Sequence, residues 1–240
     1  MVRATQREVL RYFRNQWAGD SVAMDASFTS GVARLVRELS RRFTGLFTAR
    51  AGGLAAALSE GVEKATARQL GASLKEVSGG VTLKTDVVSG AVGEVMRAGV
   101  RENVSLIKSI PAEYFQKIEG DVMRSIQTGR GMADLVEDIE KHGHSTRKRA
   151  ELIARDQTSK ATTAINRARM QGLGIKKFEW IHSGGGKEPR PLHVALSGQI
   201  FELDNPPVID DRTGERGLPG QLINCRCRMS PVIEFAATEA

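Results

Sequence analysis

The spacing of apolar residues changes once along the chain, near Gln171. Before that position apolar side chains recur every three or four residues, which is typical of amphipathic helices. After Gly172–Leu173–Gly174 they alternate with polar residues over short stretches, which is typical of strands. The pattern predicts a predominantly α protein of the α+β class: long N-terminal helices followed by a small C-terminal α+β domain with a short antiparallel sheet.

The first half of the chain is expected to form long helices. A short basic helix is predicted over residues 2–17, and a polar break over residues 19–30. The apolar stripe from Val32 to Ala65 predicts either one long helix or two helices broken at Gly52–Gly53. Such a stripe packs internally in most proteins, but it can also contact a second copy of the chain.

Glycines and prolines predict where the later helices begin and end. Ser78–Gly79–Gly80 predicts a turn, and Thr85–Asp86 a helix N-cap. Pro111 is expected to open a third helix, because a proline in the first turn loses no hydrogen bond. The remaining predicted boundaries are a helix end at Gly129–Arg130–Gly131, another at His142–Gly143, and an N-cap at Ser145 for a helix that reaches Gln171.

Three alternating stretches predict the strands: Phe178 to Trp180, Gln199–Leu203 and Cys225–Met229. In the last of these, Cys225, Cys227 and Met229 share one face, opposite Arg226 and Arg228. The predicted organisation is a helical arm over residues 1–110 and a second domain over residues 111–240, with helices in 111–171 and a small sheet in 175–235.

The positive charge of the chain indicates which kind of molecule it could bind. A formal net charge of +7 and a pI near 9.7 suggest a polyanionic partner, nucleic acid first, although a basic surface that serves only solubility is the alternative. Two cysteines do not make a disulfide framework and fit a reducing compartment. Neither a signal peptide nor an apolar stretch long enough for a bilayer is visible, so no membrane partner is expected.

The strongest concentration of positive charge lies between Lys141 and Lys177, which holds ten basic residues against Glu151 and Asp156. Lysines and arginines on a helix can contact DNA phosphates without reading sequence. The alternative is a solvated helix face whose charges form internal pairs. The residues predicted to contact DNA are Arg147, Lys148, Arg149, Lys160, Arg167, Arg169, Lys176 and Lys177.

His193, Cys225 and Cys227 are the candidate metal ligands, because one imidazole and two thiolates suit Zn²⁺. His182, Asp204 or water could complete a tetrahedral site. The alternative is that the cysteines are small buried apolar groups and that His193 bonds a backbone carbonyl. A Cys–His nucleophile or a nuclease site would use the same residues with Asn224, but no paired carboxylates and no phosphate-binding glycine loop accompany them.

Two blocks of residues occur in a familiar order. The first is Glu102–Pro111 followed by the amphipathic stretch Tyr114–Ile126. The second comprises Ala154–Arg155–Asp156–Gln157, Asn166–Arg167–Ala168–Arg169, Trp180, Arg190-x-x-His193, Gly198 and Asn224–Cys225–Arg226–Cys227. In order and spacing they resemble the phage Mu F-like minor head proteins, the phage head morphogenesis family, over roughly Glu102 to Phe235.

This resemblance implies a structural, non-enzymatic minor capsid component of a tailed phage or prophage. Its expected partners are the portal protein and the major capsid protein, with packaged double-stranded DNA as a further contact and the N-terminal helices as a possible surface between copies. Its expected location is the head interior or portal vertex of the virion, after assembly in the host cytoplasm. No cofactor is required, zinc being the one considered, and the alternative functions are a non-specific DNA-binding protein or a metal-dependent nuclease.

Overall fold

The computed structural model describes residues 1–16, 26–77, 89–128, 132–184 and 188–233. Its helices are α1 (Val2–Gln16), α2 (Ala26–Val77), α3 (Ser89–Thr128), α4 (Met132–Gly172) and α5 (Pro191–Ala195). Its strands are β1 (Lys177–Ile181), β2 (Ile200–Glu202), β3 (Val208–Asp210), β4 (Glu215–Arg216) and β5 (Arg228–Val232). The predicted class is confirmed: long helices come first and a small antiparallel sheet follows. None of the described helices is both long and apolar enough to span a bilayer.

The chain forms two compact units that share the long helices. One, here the bundle unit, comprises Met1–Leu54 and Asn103–Ile153; the other, the sheet unit, comprises Ala55–Glu102 and Ala154–Ala240. Helices α2, α3 and α4 therefore each contribute residues to both. Helix α3 runs through the predicted domain boundary at residue 110, and the division into an arm and a C-terminal domain stays a prediction.

The bundle unit is built around one apolar core from α1, α2, α3 and α4. Phe43 stacks on Phe115 with their ring centroids 6.0 Å apart, and Ile118 is fully buried. Burying each such side chain contributes about 1.5–3 kcal/mol, which is why the three-and-four spacing on these helices determines how they pack. The other buried members are Val9, Val32, Val36, Leu39, Tyr114, Val122, Leu135 and Ile139.

Two positions where the sequence allowed a helix boundary lie inside helices. Helix α2 continues through Gly52–Gly53, so the single-helix alternative holds, and it begins at Ala26, inside the predicted break. Pro111 lies in the interior of α3 and does not open a helix. An interior proline removes a backbone hydrogen bond, but residues on both sides of it, Ile110 and Tyr114, are buried and hold the helix together.

Gly143 was also wrongly predicted as a helix end. Helix α4 passes through it without a break, and Ser145, the predicted N-cap, instead donates its Oγ hydrogen bond to the carbonyl of His142 inside the helix. A Cβ atom at position 143 would lie 2.5 Å from Cγ1 of Val2. This glycine allows the start of α1 to pack closely on α4, and it is not a cap.

The sheet unit contains two small antiparallel sheets. In the first the strand order is β2-β1-β5, with Phe178 opposite Phe201 and Trp180 opposite Met229; β3 and β4 form the second. Phe178 and Trp180 are fully buried, as the alternation around Glu179 predicts. The predicted strand at Cys225–Met229 is wrong over residues 225–227, because β5 begins at Arg228. The predicted faces are right, since both cysteines and Met229 are buried and Arg226 and Arg228 are exposed.

Three predicted boundaries lie outside the described residues. These are the turn at Ser78–Gly79–Gly80, the N-cap at Thr85–Asp86 and the helix end at Gly129–Arg130–Gly131.

Two helix-interior glycines of the bundle unit give a matched test of the close contact at Gly143. Gly120 is exposed on α3 with open space at its Cβ position, so Gly120→Ala should raise the free energy of unfolding by about 0.5–1 kcal/mol through helix propensity. Gly143→Ala should lower it, because the added methyl overlaps Val2. Urea unfolding followed by circular dichroism measures both.

Removing the overlapping side chain provides the control. In a Val2→Ala background, Gly143→Ala should lose most of its penalty. If Gly143→Ala raises the free energy of unfolding of the native sequence as much as Gly120→Ala does, α1 does not pack closely on α4 at this position.

Candidate functional site

The site is built around residues 217–227, here called the anchored loop, which lead into β5. This segment has no regular secondary structure, yet Gly217–Gly220, Cys225 and Cys227 are buried. Buried backbone polar groups that lack partners cost free energy comparable to a lost hydrogen bond. Side chains of α4 supply many of the partners that this loop needs.

Two hydroxyl groups on α4 bond the loop directly. Ser159 Oγ donates to the carbonyl of Cys225 at 2.8 Å, and Thr163 Oγ1 donates to the carbonyl of Pro219. Gly220 lies against these two side chains, since a Cβ there would come within 2.6 Å of Thr163 Oγ1 and 2.8 Å of Ser159 Oγ. Its φ of +89° also favours glycine, so both space and backbone conformation fix the residue type at this position.

Asn224 is fixed by the Arg155–Asp156 pair, one turn earlier on α4. Asp156 Oδ1 accepts the backbone N–H of Asn224 at 3.0 Å, and Arg155 donates to Asn224 Oδ1 at 3.2 Å. Asn224 adopts a left-handed φ of 59°, which asparagine tolerates better than most residues. The other carboxylate oxygen of Asp156 pairs with Lys160 at 2.9 Å.

Arg190 and Gly198 fix the other side of the site. Arg190 donates to the carbonyl of Ile223, also in the anchored loop, at 3.0 Å. The N–H of Gly198, at φ +81°, donates to the carbonyl of Trp180, whose own N–H donates to the carbonyl of Gln199. Arg190 therefore contacts the anchored loop from the N-cap position of α5, whereas α4 contacts the same loop at Asn224.

His193, Cys225 and Cys227 come together in the interior. All three are buried, and their ligand atoms lie within 4.8 Å of one another. His193 Nδ1 is 3.4 Å from Cys225 Sγ and 3.7 Å from Cys227 Sγ. On the opposite edge of the ring, Nε2 is 2.9 Å from the carbonyl oxygen of Ile209, and Trp180 packs edge-on against the ring at 5.1 Å.

The contact with Ile209 determines the tautomer of His193. A carbonyl oxygen only accepts, so Nε2 carries the hydrogen and donates it, which directs the Nδ1 lone pair at the two sulfurs in the neutral ring. The hydrogen bond with Cys225 raises the pKa of His193. Hydrogen bonding with Cys227 and, less strongly, with His193 lowers the pKa of Cys225, and hydrogen bonding with the Cys225 sulfur raises the pKa of Cys227.

The two protein groups considered as a fourth metal ligand do not join this cluster. Asp204 is mostly exposed and faces Arg167 at 3.8 Å. His182 Nδ1 instead accepts the backbone N–H of Gly184 at 3.2 Å. Within the described residues, the cluster of potential ligands around His193 contains only the two cysteines besides the histidine itself.

The residues predicted to contact DNA are placed very differently from one another. Arg169 is 3% exposed and bonds Glu63 and Thr66, so it is an interior residue. Arg149 pairs with Glu113, and Lys160 with Asp156, which fits the alternative of internal pairs for these two. Arg147, Lys148 and Lys176 are exposed, while Arg167 and Lys177 are partly buried.

A cleft of about 710 Å³ opens beside the anchored loop within the sheet unit. Three arginines line it, and none of the described residues that line it is acidic. Two of the arginines, Arg226 and Arg228, leave the loop and β5 on the face opposite the buried cysteines; the third, Arg155, comes from α4. Hydroxyl and amide groups complete the polar lining, from Gln69, Ser73, Thr158, Ser159, Thr162, Thr163, Asn166 and Ser230.

Sequence reasoning missed Ser159, Thr163 and Gly220. The two hydroxyl residues follow Arg155 at intervals of four along α4, which places them on the same helix face. That spacing marks a polar stripe but does not say what it bonds. Gly220 stands in a Pro–Gly pair that predicts a turn without showing its contact with α4.

Comparison with known proteins identifies part of the chain. Residues 116–230 match the model of the family described as Phage Mu protein F like protein. A protein of Haemophilus influenzae, described as uncharacterized, is 39% identical over 143 residues, which cover 60% of this chain and 30% of the relative. The uncharacterized protein YqbB of Bacillus subtilis is 26% identical over 126 residues, covering 49% and 41%.

The chain therefore spans only 30% and 41% of the lengths of these two relatives. No solved structure matches it. The matched region contains α4 from its first residue, strands β1 to β4, the first three residues of β5 and the whole anchored loop. Residues 116–230, a little under half of the chain, are therefore similar to the phage Mu F-like family.

Proposed function

We propose that this protein is a structural head-morphogenesis component of a tailed phage or prophage and that it acts by binding. The similarity of residues 116–230 to the phage Mu F-like family supports a role in the phage head. One observation carries the proposal of a non-catalytic role. The motif residues Arg155, Asp156, Arg190 and Asn224 make structural hydrogen bonds. Their polar groups bond one another and the backbone of the anchored loop.

The partners we propose are those of an assembly protein: the portal protein first, the major capsid protein second, within the head interior. The chain offers long helices for such contacts. Leu46 and Leu54 of α2, both in the bundle unit, are 44% and 57% exposed. Large apolar side chains exposed on a helix are available for contact with a partner. The same surface could join copies of the chain.

Packaged double-stranded DNA is the second proposed contact, and the cleft supports it. Arg155, Arg226 and Arg228 place three positive charges along one concave surface that has no acidic lining residue in the described part of the chain. Arginine donors and hydroxyl groups are the usual contacts of DNA phosphates, and they carry no sequence preference. Arg155 also holds Asn224 in place, so replacing it would disturb the anchored loop. The residues to test are therefore Arg226 and Arg228.

If the motif carboxylate of Asp156 fixes the loop, its removal should weaken the fold. Asp156→Ala leaves the backbone N–H of Asn224 without its acceptor and should lower the free energy of unfolding by about 1–2 kcal/mol. Glu151→Ala, an exposed change on the same helix, should change it by less than about 0.5 kcal/mol. Denaturant titration compares them; equal stability of the two variants would contradict the structural role.

DNA contact in the cleft can be separated from contact along the basic helix by two charge-matched variants. Each phosphate contact contributes about 0.9 to the slope of log affinity against log salt. Arg226→Gln/Arg228→Gln should therefore weaken binding to random double-stranded DNA and reduce that slope by about 2. Arg147→Gln/Lys148→Gln removes the same charge from the exposed face of α4 in the bundle unit and should leave the slope unchanged.

Fluorescence anisotropy over a salt series measures both slopes. Loss of slope in the α4 variant alone would place the contact on the predicted basic helix and contradict the cleft. Cleavage of the DNA in the presence of a divalent ion would favour the nuclease alternative over a binding protein.

The assembly role is tested in particles. Heads purified from the producing prophage should contain the chain in few copies, in proportion to the portal protein, and heads assembled without portal should lack it. Quantitative mass spectrometry of both preparations gives the ratios. A ratio near that of the major capsid protein, or absence from the particles, would contradict portal association.

A further inference from the structure

We propose that His193, Cys225 and Cys227 form a metal site that binds one Zn²⁺ through His193 Nδ1 and the two cysteine sulfurs. Helix α5 supplies the histidine, and the anchored loop supplies both thiolates. Water or another small ligand takes the fourth position, since the described cluster offers three protein ligands. The proposal is independent of the role in the phage head.

The interatomic distances suit a tetrahedral ion. With zinc bonds of about 2.05 Å to nitrogen and 2.3 Å to sulfur, tetrahedral angles separate the nitrogen from each sulfur by about 3.6 Å. The two observed separations from His193 Nδ1 are 3.4 Å and 3.7 Å. His193 Nδ1 thus already lies at nearly the distance from each sulfur that a shared ion requires, and all three ligand atoms lie within 4.8 Å of one another.

The surroundings of His193 orient it as a ligand. Ligating histidines usually donate their second ring N–H to a carboxylate or a backbone carbonyl, which fixes the tautomer. The Ile209 carbonyl takes that role here, and it leaves the Nδ1 lone pair directed at the sulfurs. The bond to Ile209 by itself would also occur in a plain core histidine, but two thiols on the opposite nitrogen would not be needed there.

Trp180 lies beside the cluster with an indole N–H that lacks an acceptor. Its ring packs edge-on against the His193 ring, with the ring centroids 5.1 Å apart. Its Nε1 is buried and has no hydrogen-bond partner among the described residues. A metal-bound thiolate would give this indole the acceptor that it lacks.

A divalent ion would balance the charge of the two thiolates. Two thiolates buried together repel each other and are costly to desolvate. A divalent cation neutralises both, and any proton still held by a thiol is released to solvent when the sulfur binds the metal. One imidazole with two thiolates is a borderline-soft ligand set, which favours Zn²⁺ over Mg²⁺ or Ca²⁺.

Bound metal would join α5 to the anchored loop. Hydrogen bonds from α4 already hold that loop, and the metal would add a second attachment from a different element. Binding restricted to the folded chain raises stability by mass action, so added Zn²⁺ should raise the melting temperature of metal-stripped protein.

Cobalt substitution tests the site directly on the full chain. Reduced, metal-stripped protein titrated with Co²⁺ should bind one equivalent, with the intense visible bands of a tetrahedral ion and the near-ultraviolet charge transfer of thiolate ligands; Zn²⁺ should then displace it. Cys225→Ser and Cys227→Ser should each lose about half of the charge-transfer intensity and weaken binding about 100-fold or more. His144→Gln, an exposed histidine change on α4, is the matched control and should alter neither.

Circular dichroism shows whether the serine variants keep their helices. If they do not fold, the spectrum of the native sequence still decides. An octahedral cobalt spectrum without thiolate charge transfer would overturn the proposal. So would two thiols that react with a disulfide reagent at the same rate with and without Zn²⁺.

Discussion

Backbone that is buried outside helices and strands must find its hydrogen-bond partners elsewhere in the fold. The anchored loop, residues 217–227, is such a segment, and the rest of the sheet unit supplies its partners. Helix α4 meets this need with Asp156, Ser159 and Thr163, which lie along one face of two turns. Each bond contributes about 1 kcal/mol, but leaving the loop's polar groups unpaired would cost more. This requirement explains why residues near position 155 and residues near position 224 belong to one motif although about seventy positions separate them.

Periodicity was sufficient to predict the long helices and the buried faces of β1 and β5, because these follow from which side of an element is apolar. It did not predict α5, β3 or β4, which are too short to show a period. It failed at single residues whose role depends on a partner elsewhere in the chain. Gly143 has the sequence context of a cap, yet its lack of a side chain serves contact with Val2. Pro111 has the local chemistry of a first-turn residue, but α3 continues through it because Ile110 and Tyr114 are packed in the core. Local rules do not include these tertiary contacts.

The candidate site shows the same division. Alternation correctly placed Cys225 and Cys227 on the buried face, and residue chemistry correctly grouped them with His193. Charge alone could not distinguish an interior arginine from an exposed one, so Arg169, which pairs with Glu63, stood among the predicted DNA contacts. The anchoring hydroxyls of α4 could not be identified either, because serine and threonine on a helix surface are common and their acceptors here are backbone carbonyls.

The close contact of Gly220 with α4 also bears on which segments of such a chain can change in length. Gly220 and Asn224 are both held against the same helix, so the four-residue step between them is fixed, and one inserted or deleted residue would pull one of them off its partners. The exposed turn between β3 and β4, residues 211–214, has no such double attachment in the described contacts with α4 and can lengthen at small cost. Length variation among relatives, and the insertion of an epitope tag, should therefore be tolerated at that turn and excluded from the segment between Gly220 and Asn224.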